Sequence, residues 1–392
     1  MEPLESIHQQ CLRTRKIGGW FDHPNRGIIE VSGADRVQFL HNILTNDIKT
    51  LVPGTGTQAC LLTAQAKIIA VVNVLCFDHC IWLAFDYVLK KQLREAFEKL
   101  IIMEKVSLKD LSEELKLISA HGPKAKELLS IILSEAKDLD SSPDRPSGTG
   151  RPSSRPPLEQ PAASGLSPDS HQNINWKSGQ SPRDRMIALS NMLSHASVSI
   201  GRPAAQLNEI CIIRINLIGE EGFGILFPKK EIEPMRKTIQ ERASALEIIE
   251  VEAAAMEIMR ITAGLPKYGT DYDESNIPLE CLLDHTISFT KGCFPGQEII
   301  ARLDSRGGVG KKLCGLVLKG EGIPKKNDRI LDNGVEVGQI TSAAFIPILK
   351  KTVAMGYIKK GSGGIGHPLV VETEAGQIPG RVEELPFYSS NG

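Results

Sequence analysis

One cysteine in this chain of 392 residues lies where its thiol could react. Cys293 follows Lys291 and Gly292 and precedes a Pro-Gly pair, after which apolar residues recur at helical spacing. A thiol at a helix start feels the positive end of the helix dipole, and a neighbouring lysine also favours the thiolate. The pattern therefore predicts a reactive thiol at Cys293 with Lys291 beside it. The alternative is a cysteine that only packs in a tight turn, as most free cysteines do.

The other cysteines do not form a metal-site pattern. The chain has 8 cysteines, and none are spaced as a C-x2-C pair or as the ligands of a zinc or iron-sulfur site. Cys76 and Cys80 are the closest pair, and the alternation around them is typical of one strand face entering a turn. We therefore expect free thiols and no metal site.

Composition excludes several classes of protein. Hydrophobic residues make up 41% of the chain and charged residues 24%, which is ordinary for a folded globular protein. The net charge of -1 provides no broad field for binding nucleic acid or an anionic membrane. The most apolar stretch, residues 68–77, is about half the length of a membrane-spanning helix. The first twenty residues lack the apolar core of a signal peptide, so we expect a cytoplasmic protein without membrane or direct nucleic-acid partners.

Strands and helices must position these candidate residues, and the sequence contains the apolar spacing of both. A strand is predicted at residues 27–33, followed by a helix that opens at Ala34-Asp35 and runs to about 43. Further strands are predicted at 57–62, 68–77 and 80–85, before a helix with Leu89, Leu93, Phe97 and Leu100 on one face. The same mixture of strand and helix patterns returns later in the chain, with strands predicted at 209–217 and 223–227 and a helix at 230–245. The sequence thus predicts an α+β fold.

One segment differs from the rest in composition. Residues 139–184 contain eight prolines and ten serines but only seven apolar residues, too few to offset the entropy of ordering that backbone. We expect a disordered insert that interrupts one folded region, with a short amphipathic helix at 185–194 where order returns. A proline-rich docking ligand around Arg155 is the alternative.

The C-terminal part reads as a small β-barrel. From Lys311 onward, short strands are separated by glycine or asparagine turns, a spacing typical of barrels. Asn333-Gly334 predicts a tight type I′ hairpin turn, because both residues tolerate positive φ angles. The predicted organisation is therefore 1–138, the insert at 139–184, 185–308 and a barrel at 309–392.

Several motifs, in this order along the chain, resemble those of the YgfZ family of folate-binding proteins. The signature Lys-Gly-Cys-Phe-x-Gly-Gln-Glu occupies residues 291–298 and continues through Arg302 and Arg306. Ser32 to Arg36, Thr45 to Asp47 and Val337 to Ser342 are also similar to this family and to its relative, the glycine-cleavage T-protein. Outside the insert the resemblance covers nearly all of the chain. It implies a T-protein-like fold of three lobes, the third being the C-terminal barrel, around a channel for tetrahydrofolate or a one-carbon derivative.

The resemblance also indicates which residues would hold the folate. Glu220 lies in a Gly-Glu-Glu-Gly-Phe turn that is similar to the T-protein turn supplying a folate-contacting glutamate. A carboxylate can accept both the ring N–H and the exocyclic amino group of a pterin, which orients the ring. The alternative for Glu220 is a solvated hairpin acid. The resemblance further assigns the channel wall and the folate tail to Arg260, Tyr268, Gln297, Glu298, Arg302 and Arg306, with structural or surface roles as the alternatives.

The chain departs from T-proteins at the point where their catalytic acid lies. T-proteins carry an acidic pair after Gly-x-Ile-Leu, and the aligned residues here are Ala66 to Val71, so both acids are replaced, by Ala70 and Val71. Neither side chain can act as a base or stabilise a cationic intermediate. The cysteine motif, which T-proteins lack, therefore favours a YgfZ-like function.

The function expected from the resemblance is tetrahydrofolate binding in support of iron-sulfur cluster assembly or repair. The expected partners are iron-sulfur client or assembly proteins, including tRNA-modifying enzymes. Two alternatives stay open: a folate-dependent aminomethyltransferase that uses another base, and a non-catalytic scaffold that has lost folate. The chain is therefore expected to be an enzyme only under the first alternative.

Overall fold

The fold is known from a computed structural model, which describes residues 2–24, 26–140, 198–201, 210–305, 308–320, 322–346 and 348–388. The expected insert and the helix expected at 185–194 lie outside these residues, apart from Leu139 and Asp140. The chain divides into two compact units, residues 1–129 with 196–392, and residues 130–195. Of the second unit, only the last turns of one helix are described.

Seven α-helices occur in the described residues. They are α1 Glu2–Lys16, α2 Arg36–Ile43, α3 Lys90–Leu100, α4 Ala125–Asp140, α5 Ile232–Ala245, α6 Ala253–Thr262 and α7 Gln297–Ser305. Helix α3 has the predicted amphipathic pattern, since Leu93 and Phe97 are buried while its charged residues lie outside. The predicted helices around 36–43, 90–100 and 230–245 therefore form, with starts shifted by one or two residues.

Eleven strands form one mixed sheet. They are β1 Gly19–His23, β2 Arg26–Ser32, β3 Thr55–Leu62, β4 Ile68–Cys76, β5 Cys80–Asp86, β6 Ser107–Asp110, β7 Leu115–His121, β8 Val198–Gly201, β9 Cys211–Ile215, β10 Gly222–Pro228 and β11 Ile249–Glu250. Their order is β11-β1-β7-β10-β9-β8-β3-β4-β5-β2-β6. The β1–β11 pair is parallel, and all the other pairs are antiparallel.

The two halves of this sheet face one another across a shared core. One half contains β2 to β6 and the other β1 and β7 to β11. Ile28, Leu75 and Trp82 from the first half pack in one cluster with Ile213 and Leu226 from the second. The opposite face of the first half is covered by α2 and α3, whose buried side chains include Phe39, Leu40, Leu93 and Phe97. The sheet therefore makes two lobes that pack on each other through this core. Strands of the first lobe are buried on both faces.

Six strands close into a barrel that forms the third lobe. They are β12 Lys311–Leu318, β13 Arg329–Asp332, β14 Val335–Ile346, β15 Lys351–Lys359, β16 Pro368–Thr373 and β17 Gly376–Glu383, in the order β12-β15-β14-β13-β16-β17. Asn333 and Gly334 have φ angles of 50° and 81°, as the predicted type I′ turn requires. Ile261 at the end of α6 packs against Leu313, Val353 and Met355. Helix α6 therefore supplies an apolar contact between the barrel and the rest of the fold.

Candidate functional site

The cysteine motif forms a loop that is fastened to the end of helix α2. Lys291 is buried, and its Nζ donates hydrogen bonds to the carbonyls of His41 and Leu44. These carbonyls lie at the helix end, where no intrahelical N–H is available to them. Burial lowers the pKa of Lys291 to about 8. Asp47 and Cys293 act against this lowering. The hydrogen bonds of Lys291 hold the loop on the helix end, and its action beside Cys293 stays a prediction.

Gly296 brings the same loop against the turn that precedes β4. A Cβ at Gly296, whose φ is 80°, would lie 2.7 Å from the Cα of Ala66 and 2.8 Å from the Thr63 carbonyl. Real Cβ atoms do not approach backbone so closely, so only glycine permits this contact. The motif glycine therefore joins the Cys293 loop to the segment in which T-proteins carry their acids.

Cys293 is the one exposed cysteine of the eight, all of which lie in described parts of the chain. Five of the others are buried, and Cys80 and Cys314 are partly buried. Burial raises the pKa of Cys60 and Cys211 to about 12, so these thiols are poor nucleophiles at neutral pH. Helix α7 begins at Gln297, so Cys293 lies four positions before the first helical residue and not at the helix start that the sequence predicts. The dipole acts mainly within the first turn of a helix, so accessibility is what distinguishes this thiol.

Helix α7 carries three of the residues assigned to the folate. Gln297 is half-buried, while Glu298 and Arg302 are exposed. Arg306 lies outside the described residues. The folate role of all four stays a prediction.

At the two positions where T-proteins carry their acids, this chain has apolar side chains that pack in apolar clusters. Ala70 is fully buried in the core under α2 and α3. Val71 is on the other face of β4, opposite Cys60, and packs in a cluster with Tyr268 and Tyr272. Neither position offers a proton acceptor, so the aminomethyl chemistry expected of a T-protein acid has no residue there to perform it.

Glu220 is buried and its carboxylate has unused acceptor capacity. Its side chain is 7% exposed, and among the described residues its one charged partner is Arg15, with Nε 3.7 Å from Oε1. This distance is too long for a hydrogen bond, and Arg15 Nε has no other acceptor. The Arg15 guanidinium lies 4.4 Å from the centre of the Tyr388 ring. Glu220 is therefore not the solvated hairpin acid that its turn alone would suggest.

Sequence reasoning missed Arg15 and Tyr388. They precede and follow Glu220 by 205 and 168 positions, and no motif marks either of them. The amphipathic pattern of α1 could have placed Arg15 near buried surface, but not beside a carboxylate. Such a contact is visible only once α1 is docked.

Arg26 is a third residue that the sequence did not single out. It opens β2 opposite Asp86 at the end of β5. Burial is the main cause that lowers the pKa of Arg26, and Asp86 and Tyr272 act against it. Arg26, His23 and Tyr87 help to line a cavity of about 170 Å³ between the two lobes of the sheet.

Arg260 serves as a cross-link between segments. It forms ion pairs with Asp271 at 2.7 Å and with Glu257 at 2.6 Å, and Nη2 donates to Ser342 in the barrel at 3.0 Å. Asp271 in turn accepts hydrogen bonds from Ser342 and from Thr341 at 2.6 Å. The guanidinium is thus occupied by protein groups, and the geometry supports the structural role rather than contact with a ligand.

Tyr268 is half-buried beside Val71 and Tyr272. Its ring meets that of Tyr272 edge to face at 5.7 Å, and its hydroxyl donates to Glu274 at 3.0 Å. Burial, more than Glu274, raises the pKa of Tyr268 to about 12. The ring can form a wall, as predicted, but the hydroxyl cannot serve as a base at neutral pH.

The predicted site residues therefore fall into three groups. Lys291, Cys293 and α7 form one, Arg260 and Tyr268 belong to the junction with the barrel, and Glu220 lies with Arg15. No hydrogen bond or ion pair joins Glu220 to either of the other groups within the described ranges. No group of three or more His, Cys, Asp or Glu side chains that could hold a metal occurs there either. Among the same residues, no helix is long and apolar enough to cross a membrane.

Two family models match this chain in sequence. The GCVT N-terminal domain matches residues 3–143 and 197–291, and the glycine cleavage T-protein C-terminal barrel domain matches residues 311–389. The chain belongs to the glycine cleavage T-protein family. Lys291 is the last residue of the first match, and the rest of the motif at 291–298 lies between the two matches.

Relatives of the T-protein family extend over almost the whole chain. An aminomethyltransferase of Bacillus subtilis is 25% identical over 400 residues, which covers 98% of this chain and 91% of that protein. A putative chloroplastic transferase of Arabidopsis thaliana is 28% identical over 364 residues, 93% of this chain and 69% of that protein. The crystal structure of the glycine cleavage system aminomethyltransferase T from Bartonella henselae has a TM-score of 0.74 at 21% identity, covering 97% of this chain and 89% of that one. The expected fold, with its C-terminal barrel, is confirmed.

Proposed function

We propose that this T-protein family member binds tetrahydrofolate and supports the assembly or repair of iron-sulfur clusters in client proteins, as the YgfZ-like motif at 291–298 implies. The observation that carries the folate part is the buried carboxylate of Glu220, to which no described residue donates a hydrogen bond. Leaving such an acceptor empty costs free energy, which a ligand with two adjacent N–H donors would recover. A pterin presents that pair of donors.

The apolar pair Ala70 and Val71 argues for binding without T-protein catalysis. A carboxylate near the reacting amine would assist proton transfer and stabilise positive charge, and neither effect is available from these side chains. The folate would then act as a bound effector or one-carbon donor whose chemistry depends on a partner.

Cys293 carries the proposed contact with the iron-sulfur client. Its exposure lets a partner approach the sulfur, and thiolates are the usual protein ligands of iron-sulfur clusters. Because the described residues contain no set of ligands, the contact would be transient and completed by the partner.

Calorimetric titration of the reduced, anaerobic protein with tetrahydrofolate tests the folate part. We expect saturable binding that weakens at least tenfold in Glu220→Gln, since a hydrogen bond to a charged group contributes about 1.5–3 kcal/mol. Glu221→Gln is the matched control, because this neighbouring acid pairs with Lys126 at the surface. Absence of binding, verified by a second method, would contradict the proposal and favour the scaffold alternative.

The client part is tested in cells that lack this protein. The wild type should restore the activity of iron-sulfur enzymes and the fraction of thiolated tRNA, whereas Cys293→Ala should not. Cys314→Ala, which alters a partly buried thiol of the barrel, is the control. Full rescue by Cys293→Ala would contradict the proposed role of the thiol.

The names of the relatives favour aminomethyl transfer as the second candidate. An aminomethylated carrier protein and tetrahydrofolate should give methylene-tetrahydrofolate if that function holds, and we expect no product. Under the scaffold alternative, deleting residues 139–184 would abolish partner capture. Under the proposed function, the same deletion should have little effect.

A further inference from the structure

We propose that Arg15 is a ligand-binding residue that works with Glu220 to recognise the lactam edge of a pterin. This inference rests on the proposed function, because it concerns the same folate site. It adds a donor, contributed by helix α1, to the acceptor in the Gly-Glu-Glu-Gly turn.

The charged pair is buried without being satisfied. The side chains of Arg15 and Glu220 are each 7% exposed, yet the closest approach of Nε to Oε1 is 3.7 Å. Arg15 Nε is buried and has no hydrogen-bond acceptor within the described residues. Burying two charges is costly, and excellent geometry is needed to repay that cost. This pair lacks such geometry, and Arg15 Nε has lost water without gaining a hydrogen bond within the described residues.

The unfilled donor of Arg15 lies beside the carboxylate of Glu220, to which no described residue donates a hydrogen bond. The lactam edge of a pterin presents a carbonyl oxygen next to a ring N–H and an amino group, which is the complementary arrangement. Arg15 would donate to the carbonyl, while the carboxylate of Glu220 would accept from the ring N–H and the amino group. A planar guanidinium suits this role better than an ammonium, because its donors have fixed directions.

The ring of Tyr388 packs on the guanidinium of Arg15, so we infer that a ligand must displace it. Its ring lies 4.4 Å from the guanidinium carbon and is partly exposed. The backbone N–H of the preceding residue, Phe387, donates to the carbonyl of Thr262 at 3.0 Å, which holds the segment across the end of α6. Rotation of the Tyr388 side chain would expose the pair without breaking that backbone hydrogen bond.

The contact separates Arg15 from other basic residues of α1. Arg13, two positions away, is exposed and donates to the carbonyl of Glu247. Lys16 is exposed at the last position of the helix. Neither faces Glu220, so substitutions there change the charge of α1 without touching the proposed site.

The test compares two ligands against variants of Arg15. Tetrahydrofolate carries the carbonyl at position 4 of the pterin, and its 4-amino analogue carries an amino group there, which cannot accept from a guanidinium. Arg15→Met should weaken tetrahydrofolate binding about 10- to 100-fold, the range for a hydrogen bond to a charged group, but change the affinity for the analogue less than threefold. Lys16→Met should change neither.

The outcomes distinguish this inference from the proposed function. If the wild type binds no tetrahydrofolate, both are overturned. If it binds tetrahydrofolate, and Arg15→Met weakens the binding of both ligands equally or of neither, only the role of Arg15 is overturned. Arg15→Lys guards against misfolding: it keeps the charge and should melt near the wild-type temperature, yet still lose preference for tetrahydrofolate over the analogue.

Discussion

Cys293 differs from the other seven cysteines in being exposed, since five of them are buried and Cys80 and Cys314 are partly buried. Thiol reactivity requires access as well as a thiolate, and burial denies both to Cys60, Cys211 and Cys281, the pKa of each being raised to about 12. A single modified site is therefore expected from brief treatment with an alkylating agent.

Mild alkylation followed by peptide mass spectrometry should label Cys293 at least tenfold faster than any other cysteine of the folded protein. Cys293 is exposed, whereas Cys80 and Cys314 are partly buried. Burial also raises the pKa of the Cys80 and Cys314 thiols. Cys293→Ser should remove the fast phase and Cys314→Ser should leave it. Faster labelling of Cys80 or Cys314 would contradict the assignment.

Lys291→Met should destabilise the protein by about 2–3 kcal/mol, because the carbonyls of His41 and Leu44 would lose a charged donor in a buried place. Urea denaturation measures the change. Lys49→Met, at an exposed lysine nearby, should cost little. An equally small effect of Lys291→Met would mean that the lysine does not hold helix α2.

At the scale of single elements, strands β1 and β7 share a buried polar chain. His23 Nε2 lies 2.7 Å from Ser119 Oγ, which lies 2.9 Å from His121 Nε2. Burial lowers the pKa of His121 from 6.5 to about 4 and, more than the nearby Arg26, lowers that of His23 well below its ordinary value. Both rings are therefore neutral in the folded protein at neutral pH.

The protein should lose stability as the pH falls from about 6.5 towards 4. In that window the unfolded chain binds protons at these histidines and the folded chain does not, so unfolding is favoured. For His121 alone the loss at pH 5 is roughly 2 kcal/mol. Denaturation at pH 5 and pH 7 measures it, and His121→Gln should flatten the slope whereas exposed His79→Gln should not. An unchanged slope in His121→Gln would refute this origin.

Most of the elements could be predicted from the sequence, because apolar spacing records which face of a helix or strand is buried. The barrel and the Asn333 turn follow from local signals of this kind. Contacts between distant segments have no such record: the cap that Lys291 places on α2 and the pairing of Arg15 with Glu220 depend on docking. The order of motifs predicted the fold, while the occupied guanidinium of Arg260 and the unsatisfied carboxylate of Glu220 required coordinates.

At the scale of the molecule, one buried arginine joins the barrel to the sheet lobes. Arg260 in α6 contacts Asp271 in the following loop and Ser342 in β14, and the Asp271 carboxylate is fully buried. The three lobes therefore share one polar junction, next to the apolar contact of Ile261 with the barrel.

Arg260→Met should destabilise the protein by about 3–5 kcal/mol, because it leaves Asp271 charged and unpaired in the interior. Adding Asp271→Asn to this variant should cost much less than the sum of the single changes, which a double-mutant cycle measures. Lys267→Met removes an exposed partner of the same Glu257 and should have little effect. Additive costs would mean that the ion pair does not couple the segments.

The position of helix α1 has a consequence for how the chain is made. Gln10 and Glu252, which bond to each other, are 242 residues apart, and β1 lies between β7 and the still later β11. At about 5–20 residues per second, a ribosome needs roughly 12–50 s to supply the partner of the first helix. During that interval the apolar face of α1, with Ile7 and Cys11, lacks Val251, Ala255 and Met259, three of the four buried residues that pack with it. Newly synthesised chains therefore pass through an interval in which binding by other proteins would protect the apolar face of α1.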